Sequence, residues 1–337
     1  MRLRVAVAVA AAALVPVLAL AVPAPHERRT RLRDLPALPS FVQRVEPAIV
    51  GLHVRAAEDR PSSARLGARR FGSAVVFDAR GYAVTVSYVV LDAERIEAST
   101  RDGRRVPARL VGLDLDAGLG VVRLDGEGPW PAAALGPSGD VLVGATTGTV
   151  GVDEDNDLVH VTGSVQAIRR FSASWEYMLE RAFLVAPASA SWGGSALVDD
   201  HGRVVGIVSL RLGEAPYVNL AIPVERFLPV KDELIATGRV LSRPPRPWLG
   251  LLTVAQGGGV FVDGVSEAGP ARGAGFRKGD QIVGVDGAPV GSQEEFYERL
   301  WRRRAGDAIQ VAVRRDGDVR VITVRSVDRH RQYLEPR

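Results

Sequence analysis

Short strands broken by turn signals fill most of the chain after Ala48 and constrain its fold more than any other feature. The signals lie at residues 79–81 (ARG), 102–103 (DG), 137–139 (PSG) and 201–202 (HG), between segments of alternating polarity. Alternating polarity favours half-buried strands, and glycine, aspartate and proline favour tight turns. The 36 glycines and 21 prolines agree with this reading. We therefore predict a mostly β chain whose larger part is an antiparallel barrel.

Two segments depart from the strand pattern near the start of this region. Residues 40–46 have the spacing of a short amphipathic helix, and Pro47 favours its end there. Residues 55–70 lack apolar periodicity and are rich in arginine, alanine and serine. We expect residues 55–70 to form a mobile surface loop.

A proline-rich spacer at residues 242–247 (SRPPRP) divides the chain into a larger and a smaller unit. Three prolines in six residues favour a stiff, extended conformation. In the smaller unit, Asp316-Gly317 lies between two alternating segments and predicts a hairpin. Ser292 and Glu295 form a capping box, so we expect one helix, over residues 292–304.

The amino terminus has the pattern of an export signal. Two arginines precede an apolar run that ends in an Ala-x-Ala sequence near residue 21. If it is not cleaved, the apolar segment of ~20 residues is just long enough to anchor the chain in a membrane. We expect a signal peptide or anchor over residues 1–24, a linker over residues 25–39, and a periplasmic or extracellular location.

Charge and composition exclude several classes of function. The net charge is only +4, and arginines are interspersed with acidic residues, which argues against nucleic-acid binding. The chain has no cysteine, which excludes thiolate nucleophiles, disulfides and cysteine-ligated metals. The glycine run at residues 257–259 lacks the GK[ST] of a phosphate-binding loop. We therefore expect no cofactor and no metal.

Five stretches resemble, in order, the HtrA/DegP family of exported serine proteases. They are SFVQRVEPAIVGLHV, FGSAVVFDARGYAVTVSYVV, ARLVGLDLDAGLGVVRL, SWGGSALVDDHGRVVGIVSL and NLAIPVERF. The resemblance implies a chymotrypsin-like double β-barrel over residues 40–241. It also implies a PDZ domain over residues 248–327, an α+β fold with a small barrel and flanking helices, and a tail over residues 328–337.

The catalytic residues of that family are missing from the matching positions. Acyl transfer on this fold needs a serine, a histidine and an aspartate. TVSYVV has Tyr88 where the family has histidine, and GLGVV has Gly118 where it has aspartate. Counting back from the turn at residues 201–202, the serine position falls on Gly193. Asp116, two residues before Gly118, is expected to be a solvated loop residue.

Ser195 is a rival nucleophile because it lies close to the expected position. Family members written GNSGSALVD carry a second serine at that place, so we interpret Ser195 as a residue that packs beneath the loop. Making it the nucleophile requires a slip of strand register. His201 is separated from it by a strand and lies well over ~10 Å away. An enzyme that uses Ser195 in a rearranged site remains the alternative.

The former cleft has two further features. Trp192 replaces a small or polar residue beside the nucleophile position, and it either fills the cleft, anchors a bound peptide or is an ordinary core residue. The backbone of Gly193 and Gly194 offers N–H donors for a carbonyl or carboxylate, which predicts binding without turnover.

The segment RPWLGL resembles the carboxylate-binding loop of HtrA-type PDZ domains. Such a domain binds a peptide as an added strand beside a helix. Phe296 and Leu300 are candidate walls of the peptide pocket, with core packing as the alternative. The resemblance implies backbone contacts to a peptide from Trp248, Leu249, Gly250 and Leu251.

The sequence therefore predicts an exported HtrA-like pseudoprotease that binds unfolded proteins or C-terminal peptides. The family resemblance implies a homotrimer. A second alternative to the pseudoprotease, besides the Ser195 enzyme, is a structural subunit that assembles with an active relative.

Overall fold

The computed structural model of the protein describes residues 38–334. The predicted signal or anchor (1–24), most of the predicted linker (25–39) and the last three residues lie outside the described residues. Between residues 38 and 334, no helix is long and apolar enough to cross a membrane.

The first barrel is closed by six antiparallel strands in the order β1-β2-β3-β6-β5-β4. Its interior is filled mainly by valine, leucine, isoleucine and alanine, as expected for strands with alternating inward residues. The strands are β1 (Ile49–Ala56), β2 (Arg69–Asp78), β3 (Tyr82–Val86), β4 (Ala93–Ser99), β5 (Arg105–Asp114) and β6 (Leu119–Leu124).

The second barrel is also closed by six strands, in the order β10-β11-β12-β9-β8-β7. Its longest hairpin joins β8 and β9 and turns at residues 174–176. The strands are β7 (Thr146–Val152), β8 (Leu158–Ala173), β9 (Tyr177–Ala186), β10 (Ala196–Asp199), β11 (Val204–Leu212) and β12 (Val218–Pro223).

The C-terminal domain, residues 247–328, contains an antiparallel sheet in the order β14-β15-β16-β18-β19, in which β14 is an edge strand. The Asp316-Gly317 hairpin is confirmed between β18 and β19, with both residues at positive φ. The strands are β13 (Pro247–Trp248), β14 (Leu251–Gln256), β15 (Gly259–Val265), β16 (Gln281–Val285), β17 (Ala288–Pro289), β18 (Ala308–Arg315), β19 (Asp318–Arg325) and β20 (Val327–Asp328).

Helices are short and lie between the strands. Half of the capping box predicted for α6 is present, because the Ser292 hydroxyl accepts the N–H of Glu295 at 3.1 Å, while the Glu295 carboxylate accepts the N–H of Gly291 at 2.8 Å in place of that of Ser292. The helix ends at Leu300, earlier than the expected Arg304. The helices are α1 (Ser40–Val45), α2 (Ser63–Leu66), α3 (Ser87–Val90), α4 (Lys231–Thr237), α5 (Ala271–Ala274), α6 (Gln293–Leu300) and α7 (Arg329–Leu334).

The expectation of a mobile loop over residues 55–70 was wrong at both ends. Strand β1 continues to Ala56, and β2 begins at Arg69. Arg70 is buried, and its guanidinium donates to the carbonyl oxygens of Tyr88 at 3.1 Å and Leu91 at 2.6 Å. Arginine composition suggested a solvated segment, but one of these arginines satisfies the carbonyl groups around α3.

Candidate functional site

Tyr88 lies on α3, between β3 and β4 of the first barrel. Its side chain is half-buried, and its hydroxyl donates to the carbonyl oxygen of Ser209 on β11 at 2.6 Å. This bond joins the two barrels at the residue that, by the family resemblance, stands where the catalytic histidine is expected.

Gly193 lies directly against that hydroxyl. A β-carbon on residue 193 would be 2.9 Å from the Tyr88 hydroxyl oxygen, closer than side-chain carbons approach in folded proteins. The Gly193 carbonyl accepts the N–H of Ser73 at 2.8 Å, which fixes the loop against β2. The nucleophile position therefore has no side chain and no free space for one while Tyr88 keeps this conformation.

Gly118 lies beside the start of α3. Its carbonyl accepts the N–H of Ser87, the residue before Tyr88, at 2.8 Å. Its φ is +78°, which glycine tolerates best. A β-carbon here would be 2.8 Å from the hydroxyl of Tyr177, which donates to the Ala117 carbonyl at 2.8 Å. A second tyrosine hydroxyl thus fills the space beside the aspartate position.

Asp116 differs from its expected role as a solvated loop residue. Its side chain is 14% exposed and lies 3.6 Å from the Arg246 guanidinium in the spacer between the domains. Asp114 is buried and pairs with Arg243 of the same spacer. The two acidic residues before Gly118 therefore hold the spacer against the first barrel.

The electrostatics of Tyr88 oppose any role as a base. Burial raises the pKa of its hydroxyl above the ordinary value of 10, and the neighbouring Trp192 side chain offsets this only in part. The hydroxyl therefore remains protonated at neutral pH, and its proton is already donated to Ser209. A general base needs a pKa near the working pH, so this arrangement lacks a proton acceptor.

Ser195 is fully buried beneath the loop. Its hydroxyl donates to the Ser191 carbonyl at 2.8 Å, and it lies 3.4 Å from the Ser73 hydroxyl. Gly151 on β7 leaves room for it, because a β-carbon there would be 2.0 Å from the Ser195 hydroxyl oxygen. The hydroxyl therefore lies between β7 of the second barrel and Ser73 on β2 of the first barrel.

The cleft beside Gly193 is bordered by a cation between two aromatic rings. The Arg211 guanidinium lies 4.7 Å from the ring centre of Trp192 and 4.4 Å from that of Tyr217. Trp192 is half-buried and packs at the edge of an apolar cluster of the second barrel. Tyr217 is 39% exposed, so the stack presents apolar surface to solvent.

The backbone donors of the loop differ from one another. The N–H of Gly194 is used internally, since it donates to the Val208 carbonyl at 2.8 Å. The expectation that both glycines offer donors was therefore wrong for Gly194. The N–H of Gly193 has no acceptor within residues 38–334.

The expected carboxylate-binding loop of the C-terminal domain surrounds a carboxylate of the chain itself. The Leu251 N–H donates to Glu176 Oε1 at 2.7 Å, and the Leu249 N–H donates to Oε2 at 3.0 Å. Gly250, between these leucines, has a φ of +81°. Glu176 comes from the turn between β8 and β9 and is 3% exposed.

The remaining predicted peptide-binding residues divide into two groups. The backbone of Trp248 pairs with Val327 across β13 and β20, so Trp248 is not a donor to this carboxylate as expected. Phe296 and Leu300 are fully buried in the apolar core of the domain. Met178 of β9 belongs to that same core.

One group of side chains has metal-ligand character in the described part of the chain. Asp199, Asp200 and His201, at the turn after β10, have ligand atoms within 4.8 Å of one another. The Asp199 carboxylate accepts the N–H groups of His201 and Arg203 at 3.0 and 2.8 Å. These bonds are those of an ordinary turn, and we assign no metal to it.

Comparisons with known proteins agree with this architecture. A trypsin-like peptidase domain family matches residues 72–207, and a PDZ domain family matches residues 247–325. The serine endoprotease DegS of Escherichia coli K12 is 31% identical over 295 residues, which cover 82% of this chain and 81% of DegS. The chain belongs to the HtrA family. The predicted double barrel followed by a PDZ domain is confirmed.

Solved HtrA structures superpose over most of the chain. The HtrA-type protease AlgW with a decapeptide is 26% identical, with a TM-score of 0.54 over 86% of this chain and 98% of AlgW. The serine endoprotease of Yersinia pestis is 25% identical, with a TM-score of 0.55 over 88% and 99% of the two chains. This HtrA chain therefore has the family fold.

Two residues of the site were missed by sequence reasoning. Glu176 ends the β8–β9 turn, and Tyr177 begins β9. Glu176 bonds Leu251 and Tyr177 packs against Gly118, and both partners are far away along the chain. Only the positive φ of Glu176, +54°, is unusual locally, and it is visible in the structure alone.

Proposed function

We propose that this HtrA-family chain is a pseudoprotease, which binds unfolded proteins or C-terminal peptides without cleaving them. The observation that carries the proposal is the 2.9 Å approach of the Tyr88 hydroxyl to the place of a side chain on residue 193. The base position and the nucleophile position are thus both taken by one protonated phenol. Loss of a triad member costs a protease several orders of magnitude in rate.

Binding surfaces remain although the catalytic groups are gone. The N–H of Gly193 would donate to a peptide carbonyl, and the stack of Trp192, Arg211 and Tyr217 offers apolar surface beside it. The PDZ domain supplies the second surface. The related protease AlgW was solved with a decapeptide, which supports peptide binding by the fold as a whole.

An active enzyme built on Ser195 is the weaker alternative. The Ser195 hydroxyl is fully buried and bonded to Ser191. A serine nucleophile on this fold needs a histidine as its base, and the partners of the Ser195 hydroxyl are the Ser191 carbonyl and the Ser73 hydroxyl. Such an enzyme would need a different conformation of the loop at residues 191–195, in which the Ser195 side chain is exposed.

Location and assembly are further parts of the proposal. Residues 1–24 would export the chain or anchor it, and a relative from Halomonas elongata that is 28% identical is named a probable periplasmic endoprotease. Assembly as a structural subunit with an active relative would place the vestigial cleft beside working sites, whereas a homotrimer would contain vestigial clefts alone. Mass photometry of the mature chain, alone and with an active relative, distinguishes these states.

A labelling experiment tests the pseudoprotease assignment. We expect no reaction of the purified mature chain with a fluorophosphonate probe under conditions that label an active HtrA protease fully. Chemically unfolded casein should nevertheless co-elute with the chain in size-exclusion chromatography. Labelling that is lost in Ser195→Ala, but not in the matched variant Ser191→Ala, would instead identify an active enzyme.

A further inference from the structure

The peptide groove of the PDZ domain is already occupied by the chain itself. The groove lies between the edge strand β14 and helix α6, and the segment 172–178 at the β8–β9 turn enters it. The segment is the tip of the β8–β9 hairpin, whose turn is at residues 174–176, and we call it the internal strand. Four sets of contacts define its position.

The first contact is the carboxylate of Glu176 in the loop at residues 249–251. It accepts two backbone N–H groups, at 2.7 and 3.0 Å, and is almost fully buried. A peptide bound by strand addition places its terminal carboxylate against such a nest of N–H groups. The Glu176 side chain thus presents the same chemical group at the same place.

The second contact continues along the edge strand. The Thr253 N–H donates to the Ser174 carbonyl at 2.9 Å. Thr253 is two residues after Leu251 along β14, whereas Ser174 is two residues before Glu176. Residues 174–176 therefore run antiparallel to β14. Because they form the hairpin turn, a single backbone bond to the sheet edge takes the place of the longer ladder that an added peptide strand makes.

The third set of contacts comes from helix α6. The Tyr297 hydroxyl donates to the Ala173 carbonyl at 2.5 Å and accepts the Glu176 N–H at 3.3 Å. The Ser172 hydroxyl donates to Glu294 Oε1 at 2.5 Å. Both walls of the groove, strand and helix, hold the same segment.

The fourth contact is apolar. Met178 is 3% exposed and belongs to the core that contains Leu251, Phe296 and Leu300. An apolar side chain next to a buried carboxylate is the usual anchor of a C-terminal peptide in a groove of this kind. The internal strand supplies both parts.

We propose that the internal strand is a built-in ligand of the PDZ groove, in which the Glu176 carboxylate replaces a peptide C-terminus. Peptides with a free terminal carboxylate compete with it, and amidated peptides do not. This inference rests on the proposed peptide-binding function. It adds that the binding site is closed in the isolated chain and opens only by exchange.

Fluorescence anisotropy tests the competition. The probes are two dansylated decapeptide pools of randomised sequence, one with a free C-terminal carboxylate and one amidated. We expect Glu176→Ala to bind the carboxylate pool at least tenfold more tightly than the full wild-type chain and to leave the amidated pool unchanged. The matched control Glu180→Gln, an exposed residue of the same hairpin that pairs with Arg170, should behave like wild type.

Hydrogen exchange separates failure of the inference from failure of the proposed function. Protection of the Glu176 and Thr253 amides, which donate across the groove, is expected in the wild type and should be lost in Glu176→Ala. Unprotected amides in the wild type, or equal binding of the carboxylate pool by wild type and Glu176→Ala, overturn the built-in ligand. Protected wild-type amides without pool binding by Glu176→Ala would support docking but contradict both the competition and the proposed peptide-binding function.

Discussion

The Tyr88 hydroxyl oxygen lies 2.9 Å from the position that a β-carbon on Gly193 would take, while it donates to the Ser209 carbonyl. The two changes from the family pattern are therefore matched to each other. Tyrosine is longer than histidine, and glycine is the residue that leaves room for its hydroxyl group. This packed contact and the Tyr88–Ser209 hydrogen bond join the two barrels.

We expect Gly193→Ser alone to destabilise the protein by about 1–3 kcal/mol, because the new β-carbon overpacks against the Tyr88 hydroxyl. In the Tyr88→Phe background the clashing oxygen is absent, so the same substitution should cost clearly less. Urea unfolding of the two single variants and the double variant gives the coupling energy.

A control at Gly273 separates this contact from general effects of serine. Nothing lies within 4 Å of a β-carbon there, so Gly273→Ser should cost the same with Tyr88 or Phe at position 88. Equal penalties for Gly193→Ser in both backgrounds would show that the two residues are not coupled.

Restoring the aspartate at residue 118 should fail for two reasons. The backbone is at φ +78°, and the β-carbon would meet the Tyr177 hydroxyl at 2.8 Å. We expect Gly118→Asp to cost roughly 2–4 kcal/mol. Gly103→Asp is the matched control, since its φ is +82° and nothing lies within 4 Å. A similar loss of stability for both variants would leave Tyr177 without the role assigned to it.

Ser195→Ala should affect stability and not chemistry. The substitution removes the hydroxyl that donates to the Ser191 carbonyl. Loss of this hydrogen bond should lower the free energy of unfolding by about 1–2 kcal/mol. Thermal unfolding measures this loss, and peptide binding should be unchanged. A variant of full stability that no longer binds unfolded casein would place Ser195 in the binding site.

The buried Glu176 predicts a pH dependence of stability. Burial raises the pKa of its carboxyl group to about 7 from an ordinary 4.5, and the Leu249 and Leu251 N–H groups offset this only in part. The folded state then holds a proton that the unfolded state releases. Stability associated with Glu176 is present below about pH 4.5 and is lost as the pH rises through about 7.

Urea unfolding at pH 5 and pH 8 checks this sign against Glu176→Gln, which cannot titrate. The wild type should lose up to about 3 kcal/mol more than the variant between these values. Arg329, Arg246, Asp116 and His330 line the small cavity at Glu176 and are present in both proteins. Any dependence that the variant retains therefore belongs to them. Identical profiles would contradict a raised pKa.

Counting back from the turn at residues 201–202 assigns the family's nucleophile position to Gly193, and this assignment stays a prediction. The structure agrees with the strand register on which it rests, because β10 and β11 meet at that turn and Gly193 lies beside Tyr88. The capping bond from Glu295 to Ser292 could be predicted, because both residues lie within one turn of helix.

The contacts of Glu176, Tyr177 and Asp116 could not be predicted, because their partners lie far away in sequence. A glutamate in a polar hairpin turn has the pattern of a solvated residue, and only the docked PDZ domain buries it. Asp116 has no oppositely charged partner nearby in sequence, and its ion-pair partner Arg246 lies in the spacer between the domains. Charge pairs across domains leave no periodic signal.

Cleavage of denatured casein by the purified mature chain is the most direct test of the central claim. It should be followed beside Ser195→Ala and an active HtrA protease at equal concentration. We expect intact casein with both forms of this chain and fragments only with the active relative. Cleavage by the wild type that disappears in Ser195→Ala would contradict it and show a catalytic site rebuilt around Ser195.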